Sequence, residues 1–536
     1  MRIKKITAYV DKILISLENI SPTVYYTAVA RIPLVHGDSR DQKYPGQVLV
    51  SLQGNGGDIC FPRYHLDFDL LICRFEITVE GQLIPGAKYV TDFEEGASQN
   101  TCTPPEIIRP VGTWVTALEE DIDYLGFGCM MTEVNSAWIQ TVNPTEHDIP
   151  HVWNGQTYYF DKKTMDLYDR LMLPCIKRGI PCLVRLINRF NYRLKGSDDQ
   201  LCRIIGHPAY EDIGFSEEMS AFNLRTEEGL NFYCACVDFL CARYADPQSP
   251  LFCSFIMDVG NEINAQAVWH NCGTMSCRDY MEEYTQQLRI AHLIGKKYNT
   301  HHRVNVSFDH HFAMRFRPDE LRYYPAKECL AYLAAFSQRD GDFDWGIAAH
   351  PYPEDLSRPD FYHDTSAEFS FDSPRITMKN LEVWQALADL PELQYRGRSR
   401  RIVFDEQGFH TRSDDPETEN KGAAAFVLLY QKLKKCPSIE QFLINRYADM
   451  PLGDESGLCL GLRYENGYAD AEHLFITPGD YKKICFAIQD METDREALRI
   501  QEASAYIGEA LFQDLLCPPS PGPTTYFRDV IQSVLM

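Results

Sequence analysis

From about residue 101 onward, short apolar runs alternate with longer amphipathic segments along the chain. A short run rich in Val, Ile, Leu and Phe is typical of a strand buried on both faces, and apolar residues every three or four positions are typical of a helix. Such runs predict eight strands, at 107–112, 125–133, 180–187, 252–260, 304–308, 345–349, 401–405 and 441–444. Helical patterns follow them, at 116–124, from 161, and at 226–244, 279–298, 326–337, 378–390, 422–435 and 494–515.

Eight strand–helix units predict a (β/α)8 TIM barrel, which is an α/β fold. A doubly wound sheet is the competing architecture. It requires a glycine-rich phosphate turn after its first strand, and no such turn follows residues 107–112. The pattern therefore favours a closed barrel with elaborated loops.

The first hundred residues have a different pattern, without helical periodicity. Runs rich in β-branched and aromatic residues at 23–29, 47–52 and 71–79 are separated by Gly and Asp clusters, which predicts a small antiparallel β-sandwich. The Thr-Cys-Thr-Pro-Pro segment at 101–105 marks the expected boundary. We therefore expect a β-sandwich domain over 1–100 and a barrel domain over 101–536.

Composition and charge narrow the function classes. The formal net charge of −24 argues against a nucleic-acid partner, because binding to phosphates needs a basic face. No stretch has the apolar length of a membrane span, and Asp11 and Lys12 interrupt the apolar core that a signal peptide would need. The 18 cysteines are scattered through predicted strands and helices without zinc-site spacing, which indicates reduced thiols and a cytoplasmic location. No cofactor motif is found, and the oligomeric state is left open.

Polar and aromatic residues cluster where the predicted strands end. In a TIM barrel these carboxyl ends meet on one face, which carries the active site. The residues in these positions are Glu133, Asn135, Asn188, Arg189, Asn191, Asn261, Glu262, Asn264, Asp309, His310, His311, His350, Tyr352, Glu406, Gln407, His410, Asn445 and Arg446. This clustering on one side of the barrel is the main sequence evidence for an active site.

Two of these residues are glutamates that end apolar runs, Glu262 after the fourth strand and Glu406 after the seventh. Two facing carboxyl groups are the requirement for glycosidic-bond cleavage, in which one is held protonated and the other ionised. We therefore predict Glu262 and Glu406 as catalytic residues acting on a carbohydrate substrate. Asp258 and Asp405 flank the pair and are expected to support it rather than to react.

The neighbouring polar residues are predicted to bind the sugar. Neutral amides, histidines and arginine offer donors to sugar oxygens, and Tyr352 can hydrogen-bond an ionised Glu406. The predicted substrate-binding residues are Asn188, Asn261, His310, His311, His350, Tyr352 and Arg446. Strict alternation along a strand would turn Asn261 away from the site if Glu262 points in, so we expect an early strand end or a bulge there.

Several motifs in order resemble a known group. These are G-N-E at 260–262, S-F-D-H-H at 307–311, H-P-Y-P at 350–353, I-T-M-K-N-L-E-V at 376–383 and F-D-E-Q-G-F-H at 404–410. With them the chain resembles a bacterial family of unknown function grouped with the clan A (β/α)8 glycoside hydrolases. The resemblance runs from about residue 119 to 446. The strand-eight tryptophan common in that clan is replaced here by Asn445-Arg446-Tyr447.

The resemblance implies a retaining glycosidase acting on a β-linked oligosaccharide or glycan. It makes Glu262 the acid/base and Glu406 the nucleophile, with Tyr352 orienting the nucleophile and Asn261 contacting the hydroxyl next to the reacting carbon. Two alternatives remain: a non-catalytic carbohydrate-binding barrel, and a metal-dependent barrel hydrolase built on His310 and His311. The sequence disfavours the metal alternative because no His-x-His on the first strand and no strand-eight aspartate accompany these histidines.

Overall fold

The computed structural model describes residues 1–536 except 19–22, 36–45, 108, 191–198, 215–218, 452–456 and 470–475. Its centre is a closed barrel of eight parallel strands, in which each strand pairs with its neighbours in chain order and the first pairs with the last. The strands are β1 (Val111–Trp114), β2 (Cys129–Asn135), β3 (Cys182–Ile187), β4 (Ile256–Val259), β5 (Arg303–Phe308), β6 (Trp345–Ala349), β7 (Ile402–Gln407) and β8 (Ile439–Ile444). The predicted (β/α)8 barrel is confirmed.

Four of the predicted strand starts were placed at least two residues too early, those of β1, β2 and β4 by four residues and that of β3 by two. The first run was predicted to begin at 107, but β1 begins at Val111, directly after Pro110, which has no N–H to give to a ladder. The second run was predicted to begin at 125, but Gly126 caps the preceding helix in the left-handed conformation, and β2 begins at Cys129.

Asn191, one of the polar residues predicted at the strand ends, lies outside the described residues.

Strand β4 ends earlier than its apolar run. It was predicted to reach Gly260, but the ladder stops at Val259, and Gly260 has a φ of +84°. Glu262 itself has a φ of +36°, in the left-handed region that non-glycine residues rarely adopt. The early strand end expected from the Asn261–Glu262 alternation is therefore present, and it frees Glu262 from the pleat.

Helices surround the barrel. They are Glu119–Leu125, Ser136–Ile139, Lys162–Arg178, Asp199–Ile205, Glu227–Leu240, Gln266–Trp269, Cys277–Tyr298, Ala326–Asp340, Glu382–Ala388, Pro416–Leu433, Lys483–Asp490, Glu496–Ile507, Glu509–Leu516 and Tyr526–Leu535. The single helix predicted over 494–515 is divided at Gly508, whose φ of +100° no right-handed helix accommodates. The last helix, 526–535, was not predicted; it packs against the helix at 326–340.

The N-terminal segment forms two four-stranded sheets, so the predicted small β domain is present. One sheet contains Asp92–Phe93, Arg2–Ala8, Lys12–Glu18 and Ile59–Pro62 in spatial order, and the other Val48–Asn55, Tyr25–Arg31, Arg74–Val79 and Gln82–Leu83. Phe61 of the first sheet meets Phe75 of the second edge to face, with ring centroids 5.3 Å apart. The boundary at 101–105 stays a prediction.

Within the described ranges, no helix combines the length and apolar character needed to cross a bilayer.

Candidate active site

Glu262 is held just beyond the end of β4 by contacts to the two following barrel strands. Its backbone N–H donates to Ser307 Oγ on β5 at 3.0 Å. Its carboxylate Oε1 lies 2.8 Å from Nδ1 of His350, the residue that follows β6. Because both contacts come from the adjacent wall of the barrel, they fix the left-handed turn at Glu262 and aim its side chain at the barrel mouth.

Glu406 lies near the end of β7, and each of its carboxylate oxygens accepts one strong donor. Arg185 Nη1 on β3 donates to Oε2 at 2.5 Å, and the Tyr352 hydroxyl donates to Oε1 at 3.2 Å. Asn445 Nδ2 in turn donates to the Tyr352 oxygen at 2.9 Å, which directs the hydroxyl hydrogen towards Glu406. The predicted contact between Tyr352 and Glu406 is present. Each oxygen keeps a second lone pair for chemistry.

The two glutamates face each other at the carboxyl end of the barrel. One carboxylate oxygen of Glu262 and one of Glu406 lie within 4.8 Å of each other. The Glu262 side chain is 15% exposed and that of Glu406 20% exposed, so both are recessed but reachable from solvent. Two carboxyl groups in this arrangement can both contact a single sugar carbon and its leaving oxygen.

Their pKa values shift in opposite directions. Burial raises the pKa of Glu262, because removal from water favours the neutral acid, and the nearby His350 only partly offsets this. Burial acts on Glu406 in the same sense, but the positive charges of Arg185 and His350 outweigh it and hold the pKa of Glu406 below its ordinary value. The site therefore contains one carboxyl group biased to keep its proton and one biased to lose it.

His350 connects Glu262 to a buried acid beneath the site. Its Nδ1 faces Glu262, and its Nε2 lies 3.3 Å from Asp405 Oδ1. Burial lowers the pKa of His350, but the charges of Asp405 and Glu406 overcome this and raise it to about 10. His350 is therefore positively charged at neutral pH. Its Nδ1 donates to Glu262, whereas the contact of Nε2 with Asp405 is an ion pair and not a directed hydrogen bond.

A proton shared between Asp258 and Asp405 explains two otherwise orphaned atoms. Asp258 Oδ1 accepts from Asn305 Nδ2 at 2.9 Å, and Asp405 Oδ2 accepts from Arg185 Nη2 at 2.5 Å. The other two oxygens, Asp258 Oδ2 and Asp405 Oδ1, are buried without a hydrogen-bond donor among the described residues. Burial first, and then the charge of Asp405, raise the pKa of Asp258 well above its ordinary range, so Asp258 keeps its proton and donates it to Asp405.

Replacing Asp258 by Asn should therefore leave the fold intact and any activity of this site nearly unchanged. The amide oxygen of Asp258→Asn can accept from Asn305, and its nitrogen can donate to Asp405 in place of the acid proton. We expect kcat to stay within about threefold of the wild type, which corresponds to a change of less than ~0.7 kcal/mol in the activation free energy. Thermal unfolding should show equal or greater stability at pH 7, since the variant needs no proton uptake. The difference should shrink as the pH falls towards about 4, where Asp258 of the unfolded wild-type chain is also protonated.

Asp405→Asn is the matched comparison for that variant. It removes the ionised acceptor that Arg185 and His350 share, so its activity should fall at least about tenfold. Equal losses of activity in Asp258→Asn and Asp405→Asn would contradict the shared-proton assignment.

The two histidines after β5 belong to a neighbouring network. His311 Nδ1 lies 2.9 Å from Asp309 Oδ2, and Asn264 Nδ2 donates to Asp309 Oδ1 at 2.5 Å. His310 is buried beside His311, with ring centroids 4.4 Å apart, and burial followed by the neighbouring charge of His311 lowers its pKa to about 3. His310 is therefore neutral, and the charge of Asp309 is felt at Glu262, which places the network next to the acid.

Three other predicted sugar-binding residues lie in different settings. Asn188 is buried and already bonded: Ser136 Oγ donates to its oxygen at 2.8 Å, and its nitrogen donates to the Ile205 carbonyl at 3.1 Å. Asn261 is also buried, but its Oδ1 has no donor among the described residues. Arg446 follows β8, near enough for its charge to act on Tyr352. The sugar contacts of all three stay predictions.

Arg185 is the functional residue that the sequence interpretation missed. It lies in the middle of β3, in an otherwise apolar run, and is 1% exposed. The signal was present, because a charged side chain inside a fully buried strand requires a partner of opposite charge. Its partners, Asp405 and Glu406, are more than two hundred positions away, and only the closed barrel brings them together.

A group with metal-ligand spacing coincides with the glutamate pair. Glu262, His350 and Glu406 each offer one ligand atom within 4.8 Å of the others, and among the described residues no such group contains His310 or His311. His350 would have to lose a proton to act as a ligand, and the Arg185 guanidinium already occupies the other side of Glu406. These three residues are therefore better suited to act as an acid–base pair with its supporting histidine than to bind a cation.

The fold and the site define an eight-stranded parallel barrel protein with paired carboxyl groups at the carboxyl end of its strands. The model of the family of unknown function DUF5722 matches residues 111–515, and the chain belongs to this family. The resemblance found from the motifs is confirmed at this level. No curated protein matches the chain.

Solved structures with a similar fold are glycoside hydrolases at low identity. A family 39 glycoside hydrolase from the gut symbiont Bacteroides cellulosilyticus WH2 is 14% identical, with a TM-score of 0.44 over 91% of this chain and 81% of that one. A β-glucosidase from Pyrococcus furiosus is 13% identical, with a TM-score of 0.42 over 74% and 86%. A family 1 β-glucosidase from Thermotoga maritima is 9% identical, with a TM-score of 0.40 over 70% and 85%.

Proposed function

We propose that this protein is a retaining glycoside hydrolase that cleaves a β-glycosidic bond in an oligosaccharide or glycan. The observation that carries the proposal is the facing pair Glu262 and Glu406, with oxygens within 4.8 Å and pKa values shifted apart. Retaining enzymes hold their two carboxyl groups about 5 to 5.5 Å apart, whereas inverting enzymes need roughly 6.5 to 9.5 Å for a water molecule. The short separation supports the retaining mechanism.

In the first step, a Glu406 oxygen attacks the anomeric carbon while the bond to the leaving oxygen breaks. Glu262 gives its proton to that oxygen, which departs as a neutral hydroxyl, and the sugar is left as an ester of Glu406. Arg185 and Tyr352 hold the carboxylate in one orientation, so the attacking lone pair is fixed before the substrate arrives.

In the second step, water attacks the anomeric carbon and displaces Glu406. Glu262 is now a carboxylate, and it accepts the proton of the attacking water. The imidazolium of His350, 2.8 Å from Glu262 Oε1, stabilises this ionised form. His350 thus limits the rise that burial causes in the pKa of Glu262, so that Glu262 can still give up its proton in the first step.

Glu262→Gln should lose activity in proportion to how much the leaving group needs a proton. Without general acid catalysis we expect cleavage of a poorly activated aryl glycoside or an oligosaccharide to fall by about 10²- to 10⁴-fold. A dinitrophenyl glycoside leaves as a stabilised phenolate, so its first step should be nearly unchanged. The measurement is kcat/KM for both substrate types in wild type and variant.

A screen of aryl glycosides of several sugars, with wild type and Glu262→Gln side by side, tests the proposal and identifies the sugar. If no glycoside is hydrolysed but sugars bind, the protein is the non-catalytic carbohydrate-binding barrel. If excess EDTA abolishes hydrolysis and a divalent cation restores it, the metal-dependent mechanism is correct instead. Equal loss for both leaving-group types would reject Glu262 as the acid.

A further inference from the structure

A large cavity lies at the opposite end of the barrel from the glutamate pair. It has a volume of about 1190 Å³, which is ample for a small-molecule ligand. Its walls include the amino-terminal ends of barrel strands, among them Cys182, Ile256, Arg303 and Ile439. Residues 91–93 of the N-terminal segment and 104–107 of the connecting segment also line it. It is therefore separate from the proposed active site.

Five cationic and four anionic side chains line this cavity, an excess of one positive charge. The cations are Lys296, Arg303, Arg396, Arg398 and Arg401, and the anions are Asp92, Glu106, Asp344 and Glu440. Arg303 and Arg401 share one carboxylate, that of Glu440, at 2.6 and 3.0 Å. Since the whole chain carries a net charge of −24, a cavity with an excess of cations is a local exception.

Lys296 is a largely buried cation of this cavity. It lies in the last turn of the helix at 277–298, and its Nζ donates to the Thr300 carbonyl, which is neutral. Burial lowers the pKa of Lys296 to about 8; Asp344 opposes this, while Arg303 and Arg398 lower it further. A desolvated ammonium among guanidinium groups is the setting in which an added anion is most favourable.

Two histidines of the same wall respond to this positive charge. Burial first, and then Lys296, lower the pKa of His292 and of His301, so both stay neutral. His292 is 4% exposed, and its Nδ1 has no partner among the described residues, which leaves a buried polar atom in the cavity wall unsatisfied. The wall thus offers both positive charge and an unused hydrogen-bonding group.

We propose that this cavity binds a multiply charged phosphate-type anion. Its donors come from four places in the fold: the end of the helix at 277–298, the start of strand β5, the residue directly before strand β7, and the loop that carries Arg396 and Arg398. A tetrahedral oxyanion accepts hydrogen bonds from several directions at once, whereas a planar carboxylate accepts mainly within its plane. A neutral sugar would leave the excess charge uncompensated.

Thermal unfolding of the full chain with added pyrophosphate tests this site. We expect a saturable rise in Tm at millimolar pyrophosphate, absent with potassium chloride of equal ionic strength. The rise should be lost in Lys296→Met and at least halved in Arg398→Ala, an exposed position whose substitution does not threaten the fold. Lys162→Met, on an exposed helix face, is the matched control and should keep the full shift.

The outcomes separate clearly. No Tm shift with pyrophosphate, or an equal shift in Lys296→Met and Arg398→Ala, would overturn the proposal. A shift with citrate but not with pyrophosphate would overturn the phosphate assignment. Loss of the shift in the two cavity variants, with Lys162→Met unaffected, supports it.

Discussion

Glu406→Ala should be folded and inactive. Without the carboxylate no covalent intermediate forms, so kcat should fall by at least on the order of 10⁴-fold, the scale on which loss of a nucleophile acts. Arg185 keeps Asp405 as a partner, so circular dichroism and the unfolding transition should stay close to those of the wild type. The measurement is turnover of the best glycoside from the screen.

Added azide distinguishes a lost nucleophile from a damaged site. In Glu406→Ala the small anion can enter the vacated space and attack the anomeric carbon, so a glycosyl azide of inverted configuration should appear. Glu120→Ala, an exposed glutamate at a helix start, is the matched control and should keep full activity. Full turnover in Glu406→Ala would contradict the mechanism in which Glu406 is the nucleophile.

Arg185→Met should damage both stability and activity. It leaves Asp405 and Glu406 buried without their guanidinium partner, which costs about 3–5 kcal/mol when one member of a buried ion pair is removed. Chemical denaturation at neutral pH measures this loss. Arg185→Lys keeps the positive charge but loses the simultaneous contact with two carboxylates. Its stability and activity should therefore lie between those of Arg185→Met and the wild type.

The stability difference between wild type and Arg185→Met should depend on pH in a definite direction. The pKa of Glu406 is lowered in the folded state, so the stability that it contributes is present above the ordinary glutamate pKa and is lost as the pH falls through the folded value. The gap between wild type and Arg185→Met should therefore shrink in acid. The acidic limb of kcat/KM should move to higher pH in Arg185→Met, since Glu406 then keeps its proton longer. An unchanged limb would show that Arg185 does not set the charge of Glu406.

The barrel could be predicted from the sequence because each of its strands is a local signal. Eight apolar runs separated by helical patterns leave few alternatives, and each of the eight runs overlaps a barrel strand. Glu262 and Glu406 could be chosen as the pair because each ends such a run, and carboxyl ends of barrel strands meet on one face. These inferences need only the order of residues along the chain.

The electrostatic setting of the pair could not be predicted in the same way. That His350 reaches Glu262 with one nitrogen and Asp405 with the other depends on barrel closure and on the left-handed turn at Glu262. Asn188 also lies at a strand end, but its side-chain amide already forms hydrogen bonds with Ser136 and with the Ile205 carbonyl. Position at a strand end does not reveal whether a side chain is already bonded.

The Arg185 contacts cross the interior from β3 to β7, so the charge pattern around Glu406 belongs to neither half of the barrel alone. A half-assembled barrel can contain all of its helices and still lack an ionised Glu406. Recovery of turnover after refolding would then mark the moment at which the two halves meet, a later event than the return of helical signal.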